Sequence, residues 1–139
     1  MSDDAFLKLL RNHNLGVLAT LFPDGRPQLT TVTYAVAESG RLIRVSVTDD
    51  RVKTKNVRRD PRAALHVSGD SPWAWAVAEG AVELTPVAND PYDSTVEELI
   101  QYYRDASGEH PDWDEYRQAM VADRRLVLRL HINRLYGQV

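Results

Sequence analysis

The stretch LGVLATLF (15–22), PDGRP (23–27), QLTTVTYAV (28–36) constrains the fold more than any other part of the chain. Two runs rich in β-branched residues flank a turn with Pro and Asp-Gly, which predicts a β-hairpin. A second turn, AESG (37–40), leads into RLIRVSVT (41–48), where Leu42, Arg44 and Ser46 alternate with Ile43, Val45 and Val47. Alternation of period two is that of a half-buried strand, so the hairpin extends into a three-stranded meander.

Further on, RAALHVS (62–68) predicts a fourth strand and WAWAVAEGAVELT (73–85) a fifth, with Gly80 marking a bulge or bend. RLVLRLHINRLYG (125–137) places Leu126, Leu128, Leu130 and Ile132 on one face of a sixth strand. Helices are expected at about 3–14, 50–59, 94–107 and 112–123. The first carries Phe6, Leu7 and Leu10 at helical spacing, the third has Ser94 and Glu97 at capping-box spacing and stops at Gly108, and the fourth has Asp112 and Glu115 at the same spacing. Strands joined mainly by short turns, without βαβ alternation, argue for a mainly β fold, a small antiparallel barrel with flanking helices. At 139 residues one domain, 1–139, is expected, long enough to bury a core.

Composition removes several chemistries. There is no cysteine, hence no disulfide, thiolate metal site or thiol nucleophile. His13, His66, His110 and His131 are scattered without metal-ligand spacing, and none is read as a ligand. Asp112, Asp114 and Glu115 sit where a helix start favours acids. MSDDAFLKLLRNHN lacks the basic start and apolar run of a signal peptide, and no run approaches a membrane span, so a cytoplasmic protein with no membrane partner is expected.

Charge is distributed unevenly. Residues 51–62, RVKTKNVRRDPR, hold six of the 17 Lys and Arg residues and one acid, whereas the whole chain carries −3, which leaves about −8 elsewhere. Nucleic-acid binders spread positive charge over a face, so a nucleic-acid partner is not expected and a small anion is. Thr48, Asp49 or Asp50 can cap a short helix that ends at Asp60-Pro61. Arg51 and Lys53 fall in its first turn, where cations are disfavoured unless an anion joins them. A phosphate there would gather helix N–H groups and both side chains. A solvated basic helix that offsets the acidic surface is the other reading of the same charges.

GRPQL (25–29), RVKTKNVRRDPRA (51–63), WAVAEG (75–80), EYRQAMVADRR (115–125) and LYG (135–137) occur in register. Together they resemble the split-barrel flavin and deazaflavin oxidoreductases, the superfamily of pyridoxamine-phosphate oxidase, and most of all its actinobacterial branch that uses coenzyme F420, the B group of those reductases. The resemblance implies a six-stranded antiparallel split β-barrel, the FMN-binding split barrel, forming a homodimer with two cofactor sites at the interface. It implies that Arg51 and Lys53 hold the cofactor phosphate and that Asn56 and Arg58 support it or the cofactor's acidic tail. It further implies a ring lying against the second and third strands around Gln28, Thr31, Ser46 and Thr48, with Trp73 and Trp75 closing the pocket.

Trp73 and Trp75 are two apart on the expected fifth strand, so both side chains are expected on one face, stacking on a ring or filling a barrel or dimer interface. No catalytic side chain is assigned; solvent or one of Tyr102, Tyr103 and Tyr116 would supply a proton. That sparse chemistry suits a cofactor enzyme, with F420 as the expected cofactor and FMN as the alternative. The substrate would be an unsaturated small molecule. A protein that binds F420 or a flavin without turnover is the remaining alternative. The pyridoxamine-phosphate oxidases carry a longer C-terminal region with substrate-binding basic residues, whereas this sequence stops at YGQV, so vitamin B6 oxidation is not expected. Salt should weaken F420 more than FMN if Lys55, Arg58 and Arg59 engage the glutamyl tail.

Overall fold

The computed structural model describes residues 3–139; the first two residues of the expected 1–139 domain, which open the segment read for a signal peptide, lie outside the described residues. The chain runs α1 (Asp3–Arg11), β1 (Leu15–Leu21), β2 (Pro27–Val36), β3 (Leu42–Thr48), α2 (Val52–Arg59), β4 (Arg62–Ser68), β5 (Trp75–Leu84), α3 (Ser94–Ser107), α4 (Trp113–Ala122) and β6 (Arg125–Gln138). The six strands close into an antiparallel barrel in the order β1-β2-β3-β6-β5-β4. Closure removes the unpaired edges that an open sheet of this size would present.

Alternation sorts each strand into an inner and an outer row. Val32, Tyr34, Ile43, Val45, Val47, Leu65, Leu126, Leu128 and Leu130 fill the barrel, nearly all without solvent exposure. The core extends to α1 through Phe6, Leu9 and Leu10, and the buried Tyr34 hydroxyl donates to the Leu10 carbonyl at 2.6 Å. A second apolar cluster lies outside the barrel, where Val96, Leu99 and Ile100 of α3 and Tyr116 and Met120 of α4 pack on Val127. Helices α3 and α4 therefore cover the outer rows of β2, β3 and β6.

Gly80 marks a register shift between β5 and β6. A Cβ there would lie 1.8 Å from the His131 carbonyl oxygen, so the close passage of the two backbones requires glycine. Helix α1 ends at Arg11, short of Asn14 in the expected span, because the Asn14 carbonyl accepts the Tyr34 N–H and its side chain donates to Ala106. Helix α3 is capped by Asp93, whose carboxylate accepts from Val96 N–H, one residue ahead of the expected Ser94. Asp112 caps α4 through Glu115 N–H.

One expected strand starts later than its sequence suggests. β5 begins at Trp75, and Trp73 lies in the preceding turn, 74% exposed, with its N–H donating to Ser71 Oγ. The Gly-Asp-Ser-Pro residues at 69–72 favour this turn over two further strand residues. The two tryptophans thus do not share a strand face. No helix among the described residues is long and apolar enough to cross a membrane.

Candidate cofactor site

The loop from β3 into α2 is tied down by its own polar groups. The Thr48 carbonyl accepts from Thr54 Oγ1 at 2.8 Å, and the Thr48 hydroxyl donates to Asp50 Oδ1 at 2.8 Å. Asp49 is taken by two guanidinium groups, Arg58 at 2.5 Å and Arg124 at 3.2 Å. None of Thr48, Asp49 and Asp50 is therefore the cap that the sequence suggested. Arg51 occupies the N-cap position with extended backbone and no side-chain cap bond, and the first turn of α2 contains no acid. The helix start presents backbone N–H groups and a partial positive charge next to Arg51 and Lys53.

Lys53 faces a cavity of about 330 Å³ between the outer barrel wall and the helices. Thr31, Val32 and Thr33 of β2, Ser46 of β3, Tyr102 and Tyr103 of α3, Tyr116 and Met120 of α4, and Arg125 of β6 complete its lining. Arg125 enters because β6 pairs with β3 in the register Thr48↔Arg125, which sets its side chain in the outer row beside Ser46. Its Nη1 reaches Ser46 Oγ and O only at 3.4 and 3.5 Å, and its Nε is buried without a hydrogen-bond partner. A buried charged donor left unpaired is costly and calls for an explanation.

Lys53 shows the same imbalance. Burial pushes its ammonium below the ordinary lysine value, and the neighbouring charges of Arg51 and Arg125 push it further in the same direction. None of these three cations has a carboxylate within salt-bridge distance among the described residues, although the scaffold around them is laced with ion pairs. Three mutually repelling cations beside uncapped helix N–H groups form a site whose chemistry fits one anion, and the residues present suit a phosphate.

Two of the three tyrosines at the cavity have committed their protons. Tyr102 donates to the Thr33 carbonyl at 3.0 Å and Tyr116 to the Leu99 carbonyl at 2.9 Å. Burial raises both phenols above the ordinary tyrosine value. The Tyr103 hydroxyl makes no hydrogen bond among the described residues, while its ring packs edge-on against Trp113 and Tyr116.

Of the residues expected to bind the cofactor, Thr31, Ser46 and Lys53 meet at this cavity and Arg51 adjoins Lys53. The others lie elsewhere. Asn56 is buried and donates to Thr20 Oγ1 at 3.1 Å, and Thr20 in turn donates to Gln28 Oε1 at 2.8 Å. Gln28 belongs to the inner row of β2 with Val32 and Tyr34, opposite to Thr31, so it joins a network that ties α2 to β1 and β2. Arg58 is paired with Asp49, and Thr48 closes the loop. Trp75 stacks on His66 with ring centroids 5.7 Å apart and meets Tyr136 edge-on, on the outer face of β4 and β5. Arg125 is the site residue that sequence reasoning missed. Its place in the outer row opposite Leu126 was readable, but its nearness to Lys53 depends on β6 pairing with β3. No group of His, Asp or Glu among the described residues could hold a metal ion.

Similar architectures occur among solved structures. A conserved hypothetical protein of Mycobacterium tuberculosis is 26% identical with a TM-score of 0.74, over 97% of this chain and 82% of that one. An F420 reductase is 24% identical with a TM-score of 0.71, over 94% and 95% of the two chains. A FAD-binding protein of Mesorhizobium loti is 19% identical with a TM-score of 0.69, over 97% and 90%. At the identities of the last two, the likeness speaks for the fold. The family model of pyridoxamine 5'-phosphate oxidase matches residues 2–138. With nearly the whole sequence matched and the barrel closed in this strand order, the chain belongs to the pyridoxamine 5'-phosphate oxidase family.

Proposed function

We propose that this chain is an oxidoreductase that uses coenzyme F420 and acts on an unsaturated small molecule. The observation that carries the reading is the pair Lys53 and Arg125 at one cavity, with Arg51 beside Lys53 and no neutralising carboxylate among the described residues. Family membership and the likeness to a protein described as an F420 reductase support the choice of cofactor.

In this reading the phosphate lies against the start of α2, where Arg51 and Lys53 neutralise it and a phosphate oxygen accepts from the otherwise unpaired Arg125 Nε–H. Thr31 and Ser46 offer hydroxyls from the barrel wall to orient what is attached to the phosphate. Reduced F420, when bound, supplies the hydride, and no side chain is assigned a catalytic role. Tyr102 and Tyr116 are spoken for by carbonyls, so a proton for the product comes from solvent or from Tyr103.

A homodimer is part of the proposal. The outer rows of β1 and β2 leave Leu15 and Leu29 59% and 64% exposed, and Ala19, Leu21, Ala63 and Ala64 border an open groove of about 370 Å³. An uncovered apolar barrel face of this kind suits a second copy of the chain.

FMN is the second reading, favoured by the fact that the site asks for a single phosphate, which both cofactors provide. Titrating the protein with F420 and with FMN against tryptophan fluorescence separates the two. Oxidation of reduced F420 is then followed across enones and quinones. F420 binding with turnover of at least one acceptor is expected. FMN binding without F420 binding would overturn the cofactor assignment, and F420 binding without turnover would make this a cofactor-binding protein.

A further inference from the structure

Tyr103 of α3 is enclosed by three rings, His110, Trp113 and Tyr116, at centroid distances of 5.1, 5.7 and 5.2 Å. Each neighbour is fixed in turn. His110 Nδ1 accepts the Asp112 N–H at 2.9 Å, and Tyr116 donates to the Leu99 carbonyl at 2.9 Å. Trp113 Nε1 donates to Glu109 Oε1 at 3.3 Å, with the Arg104 guanidinium 4.9 Å from the ring centre. Edge-on aromatic contacts of this kind define the orientation of the ring they surround.

The hydroxyl on this fixed ring makes no hydrogen bond among the described residues, and Tyr103 lines the same cavity as Lys53 and Arg125. Tyr102 and Tyr116 also line it, but their protons go to the Thr33 and Leu99 carbonyls. Burial raises the Tyr116 phenol most, and the Tyr102 hydroxyl, the Arg125 guanidinium and the Tyr103 hydroxyl act on it as well. The Arg125 guanidinium and the Tyr103 hydroxyl therefore share one neighbourhood.

We propose that the Tyr103 hydroxyl donates to the anion held by Lys53 and Arg125, with His110 as the positioning residue that holds its ring. The inference rests on the anion site proposed above and adds a neutral donor to it. Lys53 and Arg125 supply charge, whereas a phenol on an immobilised ring supplies direction and loses little conformational freedom when the anion arrives. A hydroxyl bonded to an anionic oxygen keeps its proton there, so protonation of a reduced product falls to solvent.

Inorganic phosphate is the probe, titrated calorimetrically into the full chain, so cofactor identity does not enter the test. Tyr103→Phe keeps the ring and removes only the hydroxyl. It should weaken phosphate about tenfold, as the loss of one hydrogen bond to a charged group provides, while the ligand-free melting temperature stays within about two degrees of wild type. His110→Ala should weaken phosphate by a smaller factor, and in the Tyr103→Phe background it should have no further effect.

Unchanged phosphate affinity in Tyr103→Phe, or a loss matched by a fall in melting temperature, overturns the donor role and leaves the anion site standing if Lys53→Ala still weakens phosphate. An equal loss from His110→Ala in both backgrounds overturns positioning by His110. Phosphate affinity that Lys53→Ala does not change overturns the anion site, and the inference with it.

Discussion

Lys53 at the start of α2 and Arg125 at the start of β6 line one cavity and repel each other across it, and no carboxylate of the described residues stands between them. Proteins seldom leave such a pair unneutralised beside a helix N-terminus, where each cation is already disfavoured. The arrangement costs folding stability until an anion arrives.

Arg125→Ala should weaken phosphate or cofactor binding by at least about tenfold, the size expected for losing a charge-assisted contact. The same change removes a repulsion and an unpaired buried N–H, so the melting temperature of the ligand-free chain should hold or rise. Titration together with a thermal melt separates this outcome from a merely structural role, in which both quantities would fall.

Binding should depend on alkaline pH in a way set by Lys53. Its folded-state value is depressed, so the folded chain gives up this proton before the unfolded chain does, at a pH below the ordinary 10.5. Ligand-free stability should therefore rise as pH climbs through the depressed value towards 10.5, whereas phosphate affinity should fall over the same window because the ammonium is lost. Lys53→Arg, which does not titrate there, should flatten the affinity profile. Phosphate titrations at stepwise increasing pH check both curves.

Glu98 of α3 binds the outer barrel wall, accepting from Arg44 Nε at 2.9 Å and Arg129 Nε at 2.8 Å. Burial alone would raise its carboxyl, but hydrogen bonds from Arg129 and Arg44 outweigh it and hold the group below the ordinary 4.5. Stability from this depressed carboxyl is present above 4.5 and is lost as pH falls through the folded value. Glu98→Gln should cost about 1–2 kcal/mol, read as a lower urea midpoint, because it removes the carboxylate shared by both arginines while Arg129 keeps Glu83 at 3.2 Å and Arg44 keeps Asp105 at 3.9 Å. Because α3 carries two of the cavity tyrosines, the same variant should also loosen ligand binding.

The barrel was legible because alternation in 15–36, 41–48 and 125–137 reports burial directly, and the turns PDGRP and AESG separate the runs. Trp73 was misplaced because an apolar residue ahead of a strand looks like part of it, and only the Gly-Asp-Ser-Pro turn decides otherwise. Gln28 and Thr31 differ by one strand face, a distinction that needs the register of the whole strand. Arg51 and Lys53 stood out through local charge, whereas Arg125 and Asp49 act through contacts between distant segments, Thr48↔Arg125 and Asp49 with Arg124. The uncharged Asn56 and the paired Arg58 had neighbours that no local pattern announces.

Cofactor titration of three chains, wild type, Arg51→Ala and Lys53→Ala, followed by tryptophan fluorescence with F420 and, separately, FMN, tests the phosphate site most directly. F420 should bind the wild-type chain, and each alanine should weaken it by about tenfold or more while the melting temperature stays within a few degrees. Unchanged F420 affinity in both variants would contradict the assignment of the phosphate to this site.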